Sequence, residues 1–162
     1  MEQEDLLYDP RFLEAHAGSI ITDPATAIVE LVANCWDAYA TDVQITWPDY
    51  SQGRQFKIKD NGKGMTLEMF QGIWRTMSYD KIGAEGPLSD PPPGVEVSPR
   101  AVFGKNGKGR FASFCFASKY TTASTRDGQR FECEVSTSST RPLVINNISF
   151  EAEKQVGHGT EI

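Results

Sequence analysis

Glu30, Asn34 and Asp37 stand at i, i+4 and i+7 in Ile28-Val29-Glu30-Leu31-Val32-Ala33-Asn34-Cys35-Trp36-Asp37-Ala38. That spacing puts them on one helical face. A carboxylate, an amide and a second carboxylate together suit a hydrated metal ion and a water nucleophile. On its own, the same stripe is also what an ordinary solvated helix face carries. Two glycine-rich loops follow, Asp60-Asn61-Gly62-Lys63-Gly64-Met65 and Gly104-Lys105-Asn106-Gly107-Lys108-Gly109. Glycine loops let backbone N–H groups approach phosphate. Lys105, Lys108 and Arg110 add positive charge beside the second loop. Asp60 could accept from an exocyclic amine such as that of adenine. Gly62 and Gly64 would let the base lie close to the backbone, and Met65 could cover the ring. Asp-Asn-Gly is equally the chemistry of a plain turn. The second loop is not a Walker loop, since Gly-x-x-x-x-Gly-Lys-Ser/Thr does not occur. A long loop rather than a strand precedes it, which excludes a Rossmann fingerprint. Together these residues point to a nucleotide site.

Several elements must position these groups. Phe12 to Ser19 reads as a short helix. Asp23-Pro24 opens the helix that carries the stripe, with Asp23 as N-cap and Pro24 at the first helical position. This helix runs to about Ala40, with Ile28, Leu31, Val32, Cys35 and Tyr39 on its apolar side. Asp42 to Trp47 alternates as a strand, with Val43, Ile45 and Trp47 on one side. Gln55 to Lys59 is a second strand and delivers the first glycine loop. Thr66 to Met77 reads as a helix capped by Thr66. The segment 82–103 contains Gly83, Gly86, Pro87, Pro91-Pro92-Pro93 and Gly94, with little periodicity. A structureless loop of that length is functional or disordered. Arg110 to Ser118 reads as a helix opening from the second glycine loop. Lys119 to Arg126 and Gln129 to Ser136 form a hairpin around Asp127-Gly128. Leu143 to Phe150 is a further strand, and Gly159 to Ile162 begins another. There is no internal repeat. Strand pairs without regular βαβ alternation imply one α+β domain over 1–162, a sandwich of a sheet with helices on one face.

The bulk properties narrow the function classes. A chain of 162 residues, 39% hydrophobic and 23% charged, is ordinary for a soluble globular domain. A net charge of -6 does not favour nucleic-acid binding by this segment alone. No apolar run is long enough to span a bilayer, so no membrane partner is expected. The acidic start Met-Glu-Gln-Glu-Asp is wrong for a secretory signal. Cys35, Cys115 and Cys133 are widely spaced and odd in number, which fits buried thiols in a reducing compartment rather than a zinc site. The expected location is the cytoplasm, or the nucleus in a eukaryote. Neither His16 nor His158 sits in a convincing phospho-acceptor context.

The set of motifs, in this order, resembles the GHKL ATPase superfamily: gyrase-type topoisomerases, ninety-kilodalton heat-shock chaperones, histidine kinases and MutL-type repair proteins. Glu30 to Ala38 resembles its N box, and Asp60 to Met65 its first glycine box. Phe103 to Arg110 resembles the second glycine box, and Gly157-His158-Gly159-Thr160 the final Gly-Thr element. The Lys-Asn-Gly-Lys-Gly-Arg-Phe-Ala loop is closest to microrchidia-type and related bacterial ATPases. The resemblance implies a two-layer Bergerat-type sandwich with a mixed, mostly antiparallel sheet. It implies ATP and magnesium. Glu30 would be the general base, Asn34 the magnesium ligand, and Asp37 a support for the pocket through hydrogen bonds. Asp60 would take the adenine amine, helped by Thr160 through water. Gly62, Gly64 and Met65 would line the base and ribose. Gly104, Lys105, Asn106, Gly107, Lys108, Gly109 and Arg110 would form the phosphate loop, under a lid at 82–103. Ser78 and Lys81 resemble a Ser/Lys element near the lid, which gives Lys81 a phosphate role. Hydrolysing members take a γ-phosphate cation from a following domain. The resemblance therefore implies a piece of a longer protein, slow turnover by the piece alone, a nucleotide-dependent homodimer, and downstream domains that engage DNA or a protein client. Glu30 favours hydrolysis over the alternatives, a histidine-kinase-type phosphotransferase or a catalytically silent nucleotide sensor.

Overall fold

The computed structural model describes residues 9, 11–92, 96–104, 107–138, 140–152 and 157–162. α1 (Phe12–Ala17) runs into a 3-10 turn at Gly18–Ile21. α2 (Pro24–Asp37) starts as its sequence requires. The Asp23 carboxylate accepts from the N–H groups of Ala25 and Thr26, and Pro24 takes the first position. The chain then reverses through Tyr39, which adopts a left-handed φ of 62°, into β1 (Val43–Thr46) and β2 (Lys57–Asp60). α3 (Leu67–Arg75) begins where Thr66 Oγ1 accepts from Met69 N–H at 3.2 Å.

The segment expected to be structureless carries elements of its own. α4 (Lys81–Glu85) is capped by Asp80, and β3 (Leu88–Ser89) pairs with β4 (Arg100–Ala101). After the second glycine loop, the expected helix is a 3-10 helix over Gly109–Cys115. Its Gly109 to Ser113 are all buried, with Phe111 and Ala112 fully so. The tighter coil threads these residues between α2 and α1. β5 (Lys119–Arg126) and β6 (Gln129–Ser136) form the hairpin, with φ of 52° at Asp127 and 77° at Gly128. Positive φ at both central residues matches the twist of paired strands. β7 (Val144–Glu151) and β8 (Gly159–Glu161) complete the chain.

The strands form a six-stranded sheet in the order β1-β2-β8-β5-β6-β7. Every described pairing in it is antiparallel. The register aligns Val43, Asp60, Thr160, Ser124 and Phe131 in one row across five strands. All five therefore share the face that the helices cover. On one half of this face, Ala27, Leu31 and Cys35 of α2 pack with Ile58, Ile45, Ile162 and Ala112. On the other half, Phe70 and Trp74 of α3 pack with Phe131, Cys133 and Val135. The Phe70 ring lies 4.4 Å from that of Trp74 and 5.1 Å from that of Phe131. This is the α+β sandwich expected from the element order. A space lies between α2 and α3, and the row residues Asp60 and Thr160 border it. Among the described residues, no helix is long and apolar enough to cross a membrane.

Candidate functional site

The space between α2 and α3 is a cavity of about 380 Å³. Its floor is the end of β2. Asp60 leaves the strand there with Oδ1 accepting from Gly62 N–H at 2.7 Å. Burial raises the Asp60 pKa, while the N–H groups of Gly62 and Thr160 and the Cys35 thiol oppose that rise. Burial, with the nearby Asp60 charge, pushes the Cys35 thiol up to about 12. Thr160 Oγ1 lies 3.0 Å from Ser124 Oγ, which accepts from Met65 N–H at 2.8 Å. The last strand, β5 and the first glycine loop are thereby joined beside Asp60. His158 Nδ1 lies 2.6 Å from the Gly62 carbonyl oxygen and adds a second tie.

The glycines of the first loop answer to packing. A Cβ on Gly62 would lie 2.6 Å from the Ala38 carbonyl oxygen. Gly64 has φ of +65°, and a Cβ there would collide with the Thr125 carbonyl. Gly64 and Met65 line the cavity, whereas Gly62 lies behind it.

The opposite end of the cavity belongs to the helix stripe and the second glycine loop. Glu30 is half-buried and Asn34 is exposed. Gly109 packs directly against both. A Cβ on it would collide with Glu30 Oε2 and lie 3.4 Å from Asn34 Oδ1. Burial and the nearby Asp37 charge raise the Glu30 pKa, which makes this carboxylate a stronger base. Gly104, Gly107, Lys108, Gly109 and Arg110 line this end. Lys105 and Asn106 lie outside the described residues.

Asp37 parts company with its stripe. It is 3% exposed. Its carboxylate accepts from Lys81 Nζ at 2.9 Å, Phe103 N–H at 2.6 Å and Gly104 N–H at 3.0 Å. Ser89 Oγ donates to its backbone carbonyl at 2.7 Å. Asp37 thus holds both ends and the middle of the segment at 82–103.

Cavity residues given no role in the motif reading include Lys63, Arg126, Tyr79 and Glu85. Burial lowers the Lys63 pKa, and the Glu85 carboxylate opposes this. Lys63 lies between the two glycines of a recognised loop, so its position was readable. Arg126 reaches the cavity through the pairing of β5 with β8, and Nη1 lies 3.4 Å from the Gly64 carbonyl oxygen. No local pattern signals that.

Among the described residues, no group of three or more His, Cys, Asp or Glu could hold a metal. One amide oxygen beside one carboxylate and a glycine loop fits magnesium, which keeps waters and takes phosphate oxygens as ligands.

The model of the family of histidine kinase-, DNA gyrase B-, and HSP90-like ATPases matches residues 21–160. The chain belongs to this ATPase family. Among its relatives, the DNA mismatch repair protein Mlh1 of Dictyostelium discoideum is 43% identical over 53 residues, 32% of this chain and 6% of the relative. The DNA mismatch repair protein pms1 of Schizosaccharomyces pombe is 33% identical over 66 residues, 41% of this chain and 8% of the relative. The matched part of this ATPase domain is thus a small fraction of either relative's length. In this family member, Glu30, Asn34, Asp37, Asp60, Gly64, Gly107, Gly109 and Thr160 border one cavity.

Proposed function

We propose that this domain binds ATP with magnesium and hydrolyses it to ADP and phosphate. One observation carries the reading: Glu30 and Asn34 meet Gly109 at one end of a cavity whose other end is Asp60. Asp60, with Thr160 beside it, receives the adenine amine. Met65 and Gly64 line the base and ribose. The N–H groups of the second glycine loop, with Lys108 and the neighbouring Lys105 and Asn106, receive phosphate oxygens. Asn34 Oδ1 is the protein ligand for magnesium, which would neutralise phosphate charge. Glu30 takes the proton from water as its oxygen attacks the γ-phosphorus. The bond to the β–γ bridging oxygen breaks and ADP leaves.

The segment at 82–103 closes over the bound nucleotide, and Lys81, at its base, turns from Asp37 toward the phosphates. In the full-length protein, nucleotide binding promotes a homodimer, and further domains use that switch on DNA or a protein client. The cytoplasm, or the nucleus in a eukaryote, suits this activity.

The test is a single-turnover reaction with γ-labelled ATP and excess protein. Slow release of free inorganic phosphate, abolished by Glu30→Gln, is expected. Label retained on a histidine would instead identify a phosphotransferase. Tight ATP binding with no phosphate release would identify a nucleotide sensor.

A further inference from the structure

α3 faces two spaces. Met69 and Ile73 line the large cavity, while Gln71 and Arg75, one turn apart, line a separate pocket of about 270 Å³ with Arg141, Leu143, Val144 and Ile145. The two spaces share no lining residue. Gln71 Nε2 donates to Asn147 Oδ1 at 3.4 Å, so this side of α3 lies along β7. A turn fixes the backbone of Arg141. Its N–H donates to Ser138 Oγ at 3.0 Å, and its carbonyl oxygen accepts from Ser138 N–H at 3.0 Å. Arg75 and Arg141 are both exposed, and neither forms an ion pair among the described residues. No carboxylate lines the pocket, in a chain whose net charge is -6.

β7 is the far wall of this pocket and an edge of the sheet. Among the described residues it pairs with β6 alone. Ser149 sits opposite Glu132 and Asn147 opposite Cys133, which leaves Ile148 as the extra residue of a bulge. The regular edge is therefore residues 144–147, the stretch beside the pocket. Main-chain N–H and C=O groups that face away from β6 there have no strand partner. The other edge, β1, is four residues long and runs into Pro48, a short form that discourages pairing.

We propose that this edge is a docking site for an extended acidic segment of a partner protein. The segment adds as a strand beside residues 144–147 and sets carboxylates against Arg75 and Arg141. The main-chain groups of β7 select a peptide over a nucleic acid, because only a peptide backbone returns alternating N–H and C=O groups. The guanidiniums select carboxylate side chains, which match their planar fork. Leu143 and Ile145 pack the methylene stems of those side chains. A second copy of this chain is the poorer occupant. Its own residues 143–147, Leu-Val-Ile-Asn-Asn, carry no carboxylate for the two arginines. The inference goes beyond the ATP reading and does not depend on it.

The test uses the 162-residue chain and a fluorescein-labelled peptide of alternating Glu and Val, read by anisotropy and by NMR amide shifts. Saturable binding is expected, with shifts centred on residues 144–147, Arg75 and Arg141. The double variant Arg75→Gln, Arg141→Gln should bind about tenfold more weakly, the scale of two exposed ion pairs lost together, with an unchanged melting temperature. The same peptide with its amides N-methylated keeps the charge but cannot add as a strand, and it should not bind. The proposal is overturned by no binding at millimolar peptide, by shifts centred elsewhere, or by equal affinity for the N-methylated peptide. Unchanged affinity in the double variant also overturns it. Shifts at residues 144–147 that grow with protein concentration and no peptide present would make a second copy the occupant, and would overturn it too. The wild-type shift map and the N-methylated peptide decide the matter even if the double variant melts lower.

Discussion

Lys81 Nζ lies 2.9 Å from Asp37 Oδ2, an ion pair whose acid side chain is 1% exposed and whose base side chain is 22% exposed. It joins the last turn of α2 to the first residue of α4. The Asp37 carboxylate also accepts from Phe103 and Gly104, so one buried group closes a loop of chain on itself. Arg100 reinforces this. Its guanidinium stacks 4.0 Å from the centre of the Trp36 ring, and Nη2 donates to the Ala40 carbonyl oxygen at 2.7 Å. The segment at 82–103 is therefore tethered to the helix that bears Glu30 and Asn34.

Asp37→Ala should free that segment. It strands the Lys81 ammonium and two N–H groups, and losing one partner of a buried pair costs about 3 kcal/mol or more. Urea denaturation should show that loss, and limited proteolysis should show cleavage moving into 82–103. A stability within experimental error of wild type would show that Asp37 is not the tether.

Glu30→Gln should separate binding from turnover. The amide keeps the shape of the side chain but cannot take a proton from water. ATP affinity should hold within a few-fold while turnover falls about 100-fold or more, the scale of lost general-base catalysis. In wild type, the raised Glu30 pKa predicts that the acid limb of the pH–rate profile falls above the ordinary 4.5. Retained turnover in Glu30→Gln would assign the base elsewhere.

Gly109→Ala tests the closeness of the stripe and the loop. The added methyl would collide with Glu30 Oε2. A shift of about 1 Å in a catalytic group can cost on the order of 100-fold in rate. Turnover should drop on that scale, whereas adenosine, bound at the far end near Asp60, should bind as before. Equal losses for adenosine and turnover would mean that the whole cavity had collapsed.

Asp60→Asn should uncover a trade between stability and binding. Burial raises the Asp60 pKa in the fold above the ordinary 3.8. A raised carboxyl pKa favours the folded state at low pH, and that contribution is lost as pH rises through the folded pKa. The asparagine variant carries no such charge and can still accept from Gly62. It should therefore gain on wild type as pH climbs from about 3.8 toward neutrality. It should also bind the ATP analogue more weakly. Denaturant titrations across that range supply the curve; a stability difference that does not change with pH would contradict the assignment.

Much of this arrangement was readable from local chemistry. The Asp23-Pro24 start, the Thr66 cap and the Asp127-Gly128 hairpin each encode their own geometry within a few residues. The convergence of Glu30, Asn34 and Gly109 followed from motif order. What was not readable depends on distant pairings. Asp37 shares its helical face with Glu30, yet the returning chain at Phe103 and Gly104 buries it. Val32, placed on the apolar side by its type, is 37% exposed. α4 and the β3–β4 pair arise in a stretch whose glycines and prolines mask any periodicity. The 3-10 helix at Gly109–Cys115 packs Phe111 against α1 and Ala112 against α2, contacts between distant parts of the chain that no propensity encodes.

Calorimetric titration of the 162-residue chain with a non-hydrolysable ATP analogue, with and without magnesium, tests the central claim most directly. Saturable one-site binding that tightens with magnesium and weakens in Asn34→Ala is the result predicted. No heat of binding in either condition would contradict it.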